Sequence, residues 1–592
     1  QREPADLVGA VASLYDLAGQ RRQGQTLVQV LSPHREEHGW TSPHSVVLVC
    51  TDDMPFLVDS LTGAAAEENR SVHLVVHPQL VIQRDDDGTL QRVLDERPPS
   101  TEGITESWMY LEVDRAAGSD SHDRLQARVE SVLADVRKAV EDWQPMRHKV
   151  QQIVSDLARS VPDTVDPAEI GPAREFLSWL ADDHFTFLGY REYSLDTVED
   201  EEVLRAVPDS GLGILREEPK KSYTRLQPEA RATARDPRLL TITKANSRAT
   251  VHKFTYLDYV GIRTFDDAGQ VTGERRFLGM LTSSAYAESV LRLPIAADKV
   301  REVLNRSGFT AHSHTGKDLL QVLENYPRDE LFQADVDTIY DVATDVLYLQ
   351  ERRRSKLFVR SDEFGRFVSA LVYIPRDRYN TGVRLAMEHV LRRAYQAESV
   401  EFTTRVADSP LAQLHFVVRV PRGQTQPEVE VEAIHAEHVR ATPTREEKQQ
   451  ETAHAEVPEE QAYDLVATYA GRFAEAYKEM VDPAAAVTDL IGLEDLQDDD
   501  DTGLQLYRPA DAAPGERRLK VYRRSPLSLT EVLGTFTDLG VEVLDERPFR
   551  VLPTDSHHEA FIYDFGLRAE REEDWVTEAR EHRFEEAFLA VR

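Results

Sequence analysis

The chain has 592 residues, of which 41% are hydrophobic and 30% are charged, a balance that is typical of folded domains rather than of disorder. Its formal net charge of −35 disfavours binding to nucleic acid or to an anionic membrane, and no apolar run approaches the roughly 20 residues that span a bilayer. The single cysteine, Cys50, excludes an internal disulfide, so we expect a cytoplasmic protein. A chain of this length should fold into roughly three to five domains.

The first module is predicted to alternate strands and helices after a long N-terminal helix over Ala5–Leu31. The apolar residues recur with the periods of strands and of amphipathic helices, and Asp85–Gly88 has the composition of a tight turn. The predicted order is βαββα. The strands are Ser45–Cys50, Val72–Gln83 and Glu106–Val113, and the helices are Phe56–Asn69, Ser121–Asp142 and Arg147–Arg159.

The middle of the chain predicts an antiparallel sheet that is followed by a helical connector. Asp166 before Pro167 is a good helix start, and this helix should end near His184. The predicted strands are Phe185–Tyr193, Leu239–Thr243, Lys253–Phe265 and Gln270–Thr282, and the connector helices are Asp298–Asn305, Lys317–Glu324 and Val336–Glu351.

Two later modules are each predicted to have the order ββαββ, with one more strand at the start than the first module. The earlier one comprises Lys356–Arg360, Arg366–Pro375, Thr381–Tyr395, Ser399–Val406 and Leu411–Val420. The later one comprises Gln505–Arg508, Arg518–Tyr522, Ser528–Leu539, Val541–Leu552 and Glu559–Leu567, and Ser525 and Ser528 should cap its helix.

The segment between these two modules, Gly423–Glu460, is rich in Glu, Gln, Thr and Pro. Its composition predicts an acidic linker with room for a short strand within Val429–Ile434. Helices over Pro458–Glu479 and Ala484–Leu493 should follow it, and the acidic run Gln497–Asp501 should end them.

One short motif offers an alternative function as a zinc hydrolase. His34, Glu37 and His38 match the HxxEH pattern, in which two histidines bind zinc and the glutamate acts as a general base. The competing interpretation is a polar helix end, because Gly39 stops the segment almost at once and no third ligand follows on a defined helix.

Three arginines surround the start of the helix that follows Ile374-Pro375. Arg376, Arg378 and Arg384 could bind a carboxylate together with the free amides of that helix. The sequence therefore suggests a regulatory anion site here. The alternative is that the arginine side chains are simple surface charges.

Several long segments resemble the N-terminal region of the large bacterial NAD-dependent glutamate dehydrogenases. The similar segments are DDMPFLVDSL with VHLVVHP and RDDDG, DHFTFLGYREY, RSDEFGRFVSALVYIPRDRYNT and RRLKVYRRSPLSLTEVLGTFTDLGVEVLDERP. The resemblance covers nearly the whole chain, and the stretch Phe358–Thr381 is especially specific.

The resemblance implies a multidomain α+β fold in which three ACT-like modules with antiparallel sheets are separated by a β-rich domain and helical connectors. The implied domains are an N-terminal helical segment (1–44), the first ACT-like module with its helices (45–160), the β-rich domain (161–290), a helical connector (291–354), the second ACT-like module (355–422), an acidic linker with a helical motif (423–502) and the third ACT-like module (503–592).

The resemblance also implies the function of the parent enzyme, which oxidises L-glutamate to 2-oxoglutarate and ammonia with NAD. Its catalytic domain should lie C-terminal to this chain, so no catalytic, cofactor-binding or metal residue is carried over. This segment itself would regulate and assemble the enzyme. Its implied partners are the enzyme's own catalytic domain and further copies of the chain, which by resemblance form a tetramer. A pure structural scaffold without ligand sensing is the alternative.

An amino-acid effector is a further partner that the resemblance implies, because ACT-like modules commonly bind amino acids. By topology, the candidate positions in the first module are Asp52 and Asp53, in the loop between strand and helix. In the last module they are Arg524, Ser525 and Ser528, which precede the helix. Structural turns and helix caps are the alternative for all five residues.

Overall fold

The computed structural model describes the chain except for residues 1–2, 95–102, 116–117, 160–164, 200, 220, 222, 227–230, 232–233, 311, 353, 407–408, 422–425, 428, 442–444, 470, 510–511, 514, 555–557, 570–577 and 592. The chain divides into two compact units, Gln1–Tyr379 with Leu391–Val431, and Asn380–Val390 with Glu432–Arg592. No helix in the described ranges combines the length and the apolar character needed to cross a membrane.

The described α-helices occur mostly in consecutive runs between groups of strands. They are Pro4–Leu17 (α1), Arg35–His38 (α2), Leu57–Glu67 (α3), Ser119–Glu141 (α4), Trp143–Arg159 (α5), Pro167–Trp179 (α6), Ser283–Ala287 (α7), Ala296–Ser307 (α8), His314–Asn325 (α9), Arg328–Gln333 (α10), Val336–Arg352 (α11), Thr381–Ala394 (α12), Val431–Ala441 (α13), Arg445–Glu456 (α14), Glu459–Tyr469 (α15), Glu475–Met480 (α16), Pro483–Glu494 (α17), Leu529–Asp538 (α18) and Glu578–Val591 (α19).

The described strands form four sheets. They are Leu27–Leu31 (β1), Ser45–Asp52 (β2), Val72–Val76 (β3), Gln79–Arg84 (β4), Leu90–Leu94 (β5), Ile104–Val113 (β6), Phe185–Val198 (β7), Glu201–Ala206 (β8), Leu212–Gly213 (β9), Tyr223–Arg225 (β10), Leu240–Arg248 (β11), Tyr256–Phe265 (β12), Val271–Leu281 (β13), Lys356–Ser361 (β14), Val368–Pro375 (β15), Ser399–Arg405 (β16), Leu411–Arg419 (β17), Gly503–Tyr507 (β18), Glu516–Arg523 (β19), Val541–Val551 (β20) and Ala560–Ala569 (β21).

The three predicted ACT-like modules have one strand order in common. The third sheet has the order β14-β15-β17-β16 and the fourth has β18-β19-β21-β20, so each confirms a ββαββ module. In the first sheet, β1 pairs with β2, β2 pairs with β6, and β3 and β4 follow one another along the far side of β6. The first module therefore also begins with two paired strands, and the prediction that it lacks the extra strand was wrong.

The missing strand, β1, lies inside the predicted N-terminal helix. The helix ends at Leu17, and the chain then turns through Gly24, whose φ of 83° suits glycine. Leu27 then pairs with Cys50 and Leu31 with Val46, in an antiparallel ladder. The residues of β1 are apolar enough for either a helix or a strand. Only the pairing with β2 determines that they form a strand.

Other differences from the prediction also have local causes. The predicted strand Val72–Gln83 is interrupted at Pro78. The carbonyl of Pro78 accepts a hydrogen bond from the N–H of Trp108, but proline has no N–H to donate to a neighbouring strand. The predicted linker is wrong over its described residues, because α13 and α14 occupy them and no strand forms at Val429–Ile434. The predicted helix Pro458–Glu479 is two helices, α15 and α16, separated near Gly471, which has a φ of 74°. The strands β5 and β8 to β10 and the helices α7, α10 and α19 were not predicted.

Each sheet buries apolar side chains on both faces. In the first module, one face packs Val47, Val49 and Leu111 with α3 and α4, and the other packs Val46 and Leu48 near α1. The seven-stranded second sheet, ordered β10-β8-β7-β13-β12-β11 with β9 beside β7, is the predicted β-rich region. Its core includes residues of α5, α6 and the helices α8 to α11.

A buried ion cluster lies in the first module. Arg21 is fully buried and donates to Glu106 Oε1 at 2.6 Å and also to Asp52. Arg84 donates to both oxygens of Glu106, at 2.7 and 2.9 Å, and Arg137 donates to Asp52 at 2.6 Å. Burial alone would raise the pKa of Glu106, but Arg84 and Arg21 hold that pKa below its usual value. The cluster thus ties the segment between α1 and β1 to β2, β4, β6 and α4.

We predict that Arg21→Met destabilises the first module by about 3–5 kcal/mol, because it leaves buried carboxylates without one of their cations. The midpoint of chemical denaturation, followed by tryptophan fluorescence, measures this. Trp108 is a suitable reporter, since its Nε1 donates to Glu106 at 2.9 Å. Arg22→Met is the matched control, because Arg22 is exposed. Equal midpoints for the two variants would contradict the prediction.

Cys50 should be chemically silent in the folded chain. Its side chain is buried and its Sγ lies 3.4 Å from Glu106 Oε2. Burial and the neighbouring carboxylate raise the pKa of this thiol to about 12. At about pH 8 we expect almost no reaction with a thiol reagent in the native chain, and one equivalent after denaturation. Fast labelling of the native chain would show that this core is open.

A second buried carboxylate, Asp489, organises the second unit. It is fully buried on α17 and accepts from Lys520 Nζ at 2.6 Å, from Tyr522 at 2.7 Å and from Tyr477 at 2.6 Å. Lys520 and Tyr522 belong to β19, so the aspartate joins the helices to the fourth sheet.

Asp489→Asn should lower the stability of this unit by about 3–5 kcal/mol, because Lys520 then lies buried without a counter-charge. Thermal unfolding followed by circular dichroism measures the change. Asp495→Asn removes an exposed carboxylate close by and should leave the midpoint unchanged. If both variants have the same thermal midpoint as the parent chain, the ion pair between Asp489 and Lys520 does not stabilise the unit.

Candidate ligand-binding cavity

A cavity of about 510 Å³ lies within the first unit, between the second and third sheets. One wall comes from β11 and β12, the opposite wall from β16 and β17, and the segment 325–329 closes an end. Most of its charged residues are held by folded elements rather than by loops, so their positions are fixed by the packing of the two sheets.

Lys244 of β11 lies between two carboxylates in this cavity. Its Nζ is 2.5 Å from Asp258 Oδ1 and 2.9 Å from Asp329 Oδ2, and all three side chains are less than 20% exposed. Burial opposes the charge of Lys244, but the two carboxylates raise its pKa well above the usual value. Burial and the charge of Asp329 raise the pKa of Asp258. With both carboxylates ionised, these three groups carry a net charge of −1.

Arg328, the first residue of α10, lines the same cavity and is only 5% exposed. Its Nη2 donates to the carbonyl of Glu288 at 2.9 Å and lies 3.5 Å from Glu324 Oε2. Its Nη1 is buried and has no hydrogen-bond partner among the residues that the structure describes. Several other buried atoms among the described residues, such as Arg70 Nε and Arg523 Nε, also have no partner, so this feature alone does not mark a ligand site.

A third buried group lies where the cavity reaches β17. Glu330 accepts from Arg360 at 2.8 Å through each of its two oxygens. His415 Nε2 lies 2.9 Å from Ser369 Oγ and 3.7 Å from Glu330 Oε1. Burial lowers the pKa of His415, so its imidazole is neutral near neutral pH. This wall of the cavity can therefore donate and accept hydrogen bonds, but it carries little net charge.

The acidic residues predicted in the first module are occupied by structural contacts. Asp52 belongs to the ion cluster with Arg21 and Arg137. Asp53 Oδ1 accepts from Gln79 Nε2 at 3.0 Å and from Ser107 Oγ at 2.7 Å. Both side chains hold neighbouring strands in place, and effector binding by them stays a prediction.

The predicted arginine site divides between the two units. Arg376 and Arg378 form an exposed helical turn in the first unit. Arg384 belongs to the second unit, where its Nη1 donates to Glu388 at 3.1 Å. The contacts within each unit do not bring the three arginines into one described site, so this site also stays a prediction.

The residues predicted in the last module have structural positions. Arg524 donates to the carbonyl of Leu496 at 2.6 Å, just beyond the end of α17. Ser528 occupies the N-cap position of α18, but its side chain makes no capping hydrogen bond, so that part of the prediction was wrong. Ser525 is partly buried three residues earlier. An effector role for these residues stays a prediction.

The HxxEH motif does not form a zinc site in the described structure. His34 precedes α2, which is a single turn that ends at Gly39, and its N–H donates to His38 Nδ1 at 3.3 Å. Glu37 lies 4.0 Å from that same ring nitrogen. Within the described ranges, no group of three His, Cys, Asp or Glu side chains is placed to hold a metal ion.

The sequence prediction missed the cavity residues Lys244, Asp329 and Arg328. A usable signal was present, because Lys244 is a charged residue inside a strand whose neighbours include the β-branched Ile242 and Thr243. Such a residue suggests a buried ion pair or a ligand site. The sequence did not reveal its partner, because Asp329 lies on a different element.

Models of the glutamate dehydrogenase family match most of the chain. The ACT1, ACT2 and ACT3 domains of glutamate dehydrogenase match residues 1–129, 356–444 and 501–580. Helical motifs 1 and 2 of the same family match residues 293–352 and 453–496. The three ACT models fall on the three sheets that have the same strand order.

Three relatives named NAD-specific glutamate dehydrogenase are similar over almost the whole chain. The Halomonas elongata protein is 35% identical over 99% of this chain and 36% of its own length. The Pseudomonas aeruginosa protein is 36% identical over 96% of the chain and 35% of its own length. The Mycobacterium tuberculosis protein is 28% identical over 90% of the chain and 33% of its own length.

The chain thus spans about a third of the length of the curated relatives that it matches. Along the chain, the family models match in the order ACT1, helical motif 1, ACT2, helical motif 2 and ACT3. The chain belongs to the family of the NAD-specific glutamate dehydrogenases.

Proposed function

We propose that this chain is the regulatory and assembly part of a large NAD-dependent glutamate dehydrogenase. The whole enzyme converts L-glutamate to 2-oxoglutarate and ammonia and reduces NAD, and its catalytic domain lies in the remaining part of the protein. The observation that carries this proposal is the match of three glutamate dehydrogenase ACT models to three sheets of one topology. The names of the relatives supply the reaction and the cofactor.

Assembly follows from the edges of these sheets. In the described structure, β14 and β16 end the third sheet, and β18 and β20 end the fourth. Unpaired strand edges need to be covered by another chain or another element. We therefore propose contacts with the enzyme's own catalytic domain and with further copies of the chain, in a tetramer as the resemblance implies. The excess of negative charge disfavours nucleic-acid and anionic-membrane partners, and we propose a cytoplasmic enzyme.

Regulation, rather than scaffolding alone, is supported by the cavity of about 510 Å³ between the second and third sheets, which holds the charged side chains of Lys244, Asp258 and Asp329. A cavity of this size is ample for a small ligand. A structural scaffold without ligand sensing remains the second candidate, and the open strand edges are the observation that favours it.

The full-length protein should reduce NAD in the presence of L-glutamate, and the 592-residue chain alone should not. The absorbance of the reduced nicotinamide measures both, and NADP replaces NAD as the cofactor control. Light scattering of the two proteins measures assembly, and we expect the full-length protein to be oligomeric. A full-length protein that does not oxidise glutamate would contradict the proposed parent activity. NAD reduction by the isolated chain would contradict its regulatory role.

A further inference from the structure

We propose that a cavity on the second sheet, in the β-rich domain, binds a phosphate ester that carries a flat ring, such as a nucleoside monophosphate. The cavity has a volume of about 460 Å³ and lies within the first unit. It shares no described lining residue with the cavity that contains Lys244. The site is inferred from its own geometry, and only a regulatory effect of its ligand would rest on the proposed function.

One wall of this cavity is an alternating stack of rings and guanidinium groups. The Cζ atom of Arg276 lies 4.0 Å from the centre of the Tyr193 ring and 5.0 Å from the centre of the Tyr259 ring. The Cζ atom of Arg366 lies 5.7 Å from the centre of the Tyr259 ring and 4.4 Å from that of the Phe364 ring. We call these five side chains, all of which line the cavity, the stacked wall.

Neighbouring strands position the stacked wall. Tyr193 belongs to β7, Arg276 to β13 and Tyr259 to β12, and these strands lie side by side in this order. Gly261 leaves room for the tyrosine ring, because a Cβ atom there would lie 2.8 Å from Cε1 of Tyr259. The other two members come from the turn between β14 and β15. Folded elements thus fix most of the wall before any ligand binds.

Buried carboxylates hold the two arginines of the stacked wall in place. Arg276 Nε donates to Glu274 Oε1 at 3.0 Å, and Tyr259 Oη donates to the same oxygen at 2.6 Å. Arg366 Nε donates to Asp362 Oδ2 at 3.0 Å. The side chains of Arg276 and Arg366 remain 22% and 18% exposed, so both are accessible in part.

Basic residues predominate around this cavity although the whole chain is acidic. Glu274 is the only Asp or Glu among the described lining residues, whereas the basic lining residues are Lys221, Arg225, Arg263, Arg276 and Arg366. In the whole chain, 105 acidic residues outnumber 70 basic ones. Such a lining attracts an anion, and a group with two negative charges gains more than a group with one. A phosphate ester meets this preference, because guanidinium groups bind phosphate oxygens in pairs.

The aromatic side chains favour a ligand with a flat ring. Tyr193 and Phe364 are the two ends of the stacked wall, so each has one ring face that no other member of the wall covers. A flat ring stacks well on an aromatic side chain, whichever base it belongs to. We place the ring of the ligand on one of these two ends and its phosphate group among the basic residues.

The size and charge of the molecule limit the ligand to a small compound. A volume of about 460 Å³ lies within the range of small-molecule sites. The net charge of −35 would repel the many phosphates of a nucleic acid, whereas a single phosphate group meets mainly the local positive charge of the cavity. A structural join between the sheet and the turn is the alternative explanation of the stacked wall, and it predicts no affinity for phosphate esters.

Isothermal titration calorimetry of the 592-residue chain tests the proposal directly. Each of the common ribonucleoside monophosphates is titrated at low ionic strength, followed by inorganic phosphate and by the nucleoside of each binder. We expect at least one monophosphate to bind, and both partial ligands to bind at least about tenfold more weakly. Absence of binding by all the monophosphates and by phenyl phosphate would overturn the proposal, as would equal binding of inorganic phosphate.

Phenyl phosphate distinguishes the two sources of this ligand chemistry. If it binds as tightly as a nucleoside monophosphate, the site recognises any flat ring that carries a phosphate group. If it binds more weakly, the site recognises the nucleoside as well. Both results support the proposal.

Arg225→Gln tests the contribution of the basic lining. The Arg225 side chain is 53% exposed and pairs with Glu199 at 2.7 Å, so the variant should keep the thermal midpoint and weaken binding about threefold. Arg301→Gln is the matched control, because Arg301 is 55% exposed and pairs with Asp298 at 2.6 Å on α8, outside the cavity. Weaker binding by Arg301→Gln, with Arg225→Gln unaffected, would overturn the proposal.

Tyr193→Leu and Phe364→Leu test the stacked wall. Each variant keeps an apolar side chain but removes one end of the stack. One of them should weaken the binding of the nucleoside monophosphate at least about fivefold, while the affinity for inorganic phosphate stays the same. If both variants bind the monophosphate like the parent chain, the proposed ring site is wrong.

These experiments separate the site from the proposed function. If a monophosphate binds and Arg225→Gln weakens its binding, the site stands even if the full-length protein does not oxidise glutamate. If the full-length protein oxidises glutamate but no phosphate ester binds the chain, the parent activity stands and the site is wrong.

Discussion

The cost of burying charge shapes the places where this chain joins one element to another. A buried charge is tolerated only when an opposite charge and further hydrogen bonds are buried with it. Glu106 meets this requirement with Arg21 and Arg84, and Asp489 meets it with Lys520 and two tyrosines. In both cases the partners come from distant parts of the sequence, so the ion pair forms only when the elements have packed correctly. Arg328 also follows this rule, since its Nη2 donates to the carbonyl of Glu288 and lies 3.5 Å from Glu324 Oε2.

The common strand order of the three ACT sheets explains how one architecture can serve both structure and regulation. In each module two paired strands precede the helix, and the last strand lies in the centre of the sheet beside the second. This arrangement leaves the first and third strands outermost in the two later modules. In the second module, the outer strand β16 contributes Glu401 and Arg405 to the cavity.

The sequence predicted the elements whose patterns are strong and local. The buried strands β2, β6 and β15 and the amphipathic helices α4 and α11 lie where periodicity placed them. It failed for β1, because a short apolar segment after a helix fits the helical pattern as well, and the ladder with β2 is a long-range effect. It failed for α13 and α14 because Glu and Gln suit both linkers and helices. The ACT resemblance supplied the family but could not show these local features.

The cavity could not be predicted for a related reason. Lys244 and Asp329 are separated by two strands and three helices along the chain, and Arg328 lies beside Asp329 on a helix of only six residues. No spacing rule connects such residues, since their proximity results from the packing of two sheets. The predicted residues Asp52 and Asp53 illustrate the opposite case. Their loop position suggested a ligand site, but the fold uses their carboxylates to hold strands and helices together.

The central proposal is that this chain is the regulatory and assembly part of a larger glutamate dehydrogenase and not its catalytic domain. The most direct test is the rate of NAD reduction at a fixed L-glutamate concentration, measured for the full-length protein and for the 592-residue chain at equal molar concentrations. The account predicts that the full-length protein reduces NAD and that the chain alone does not. NAD reduction by the chain alone would contradict the account.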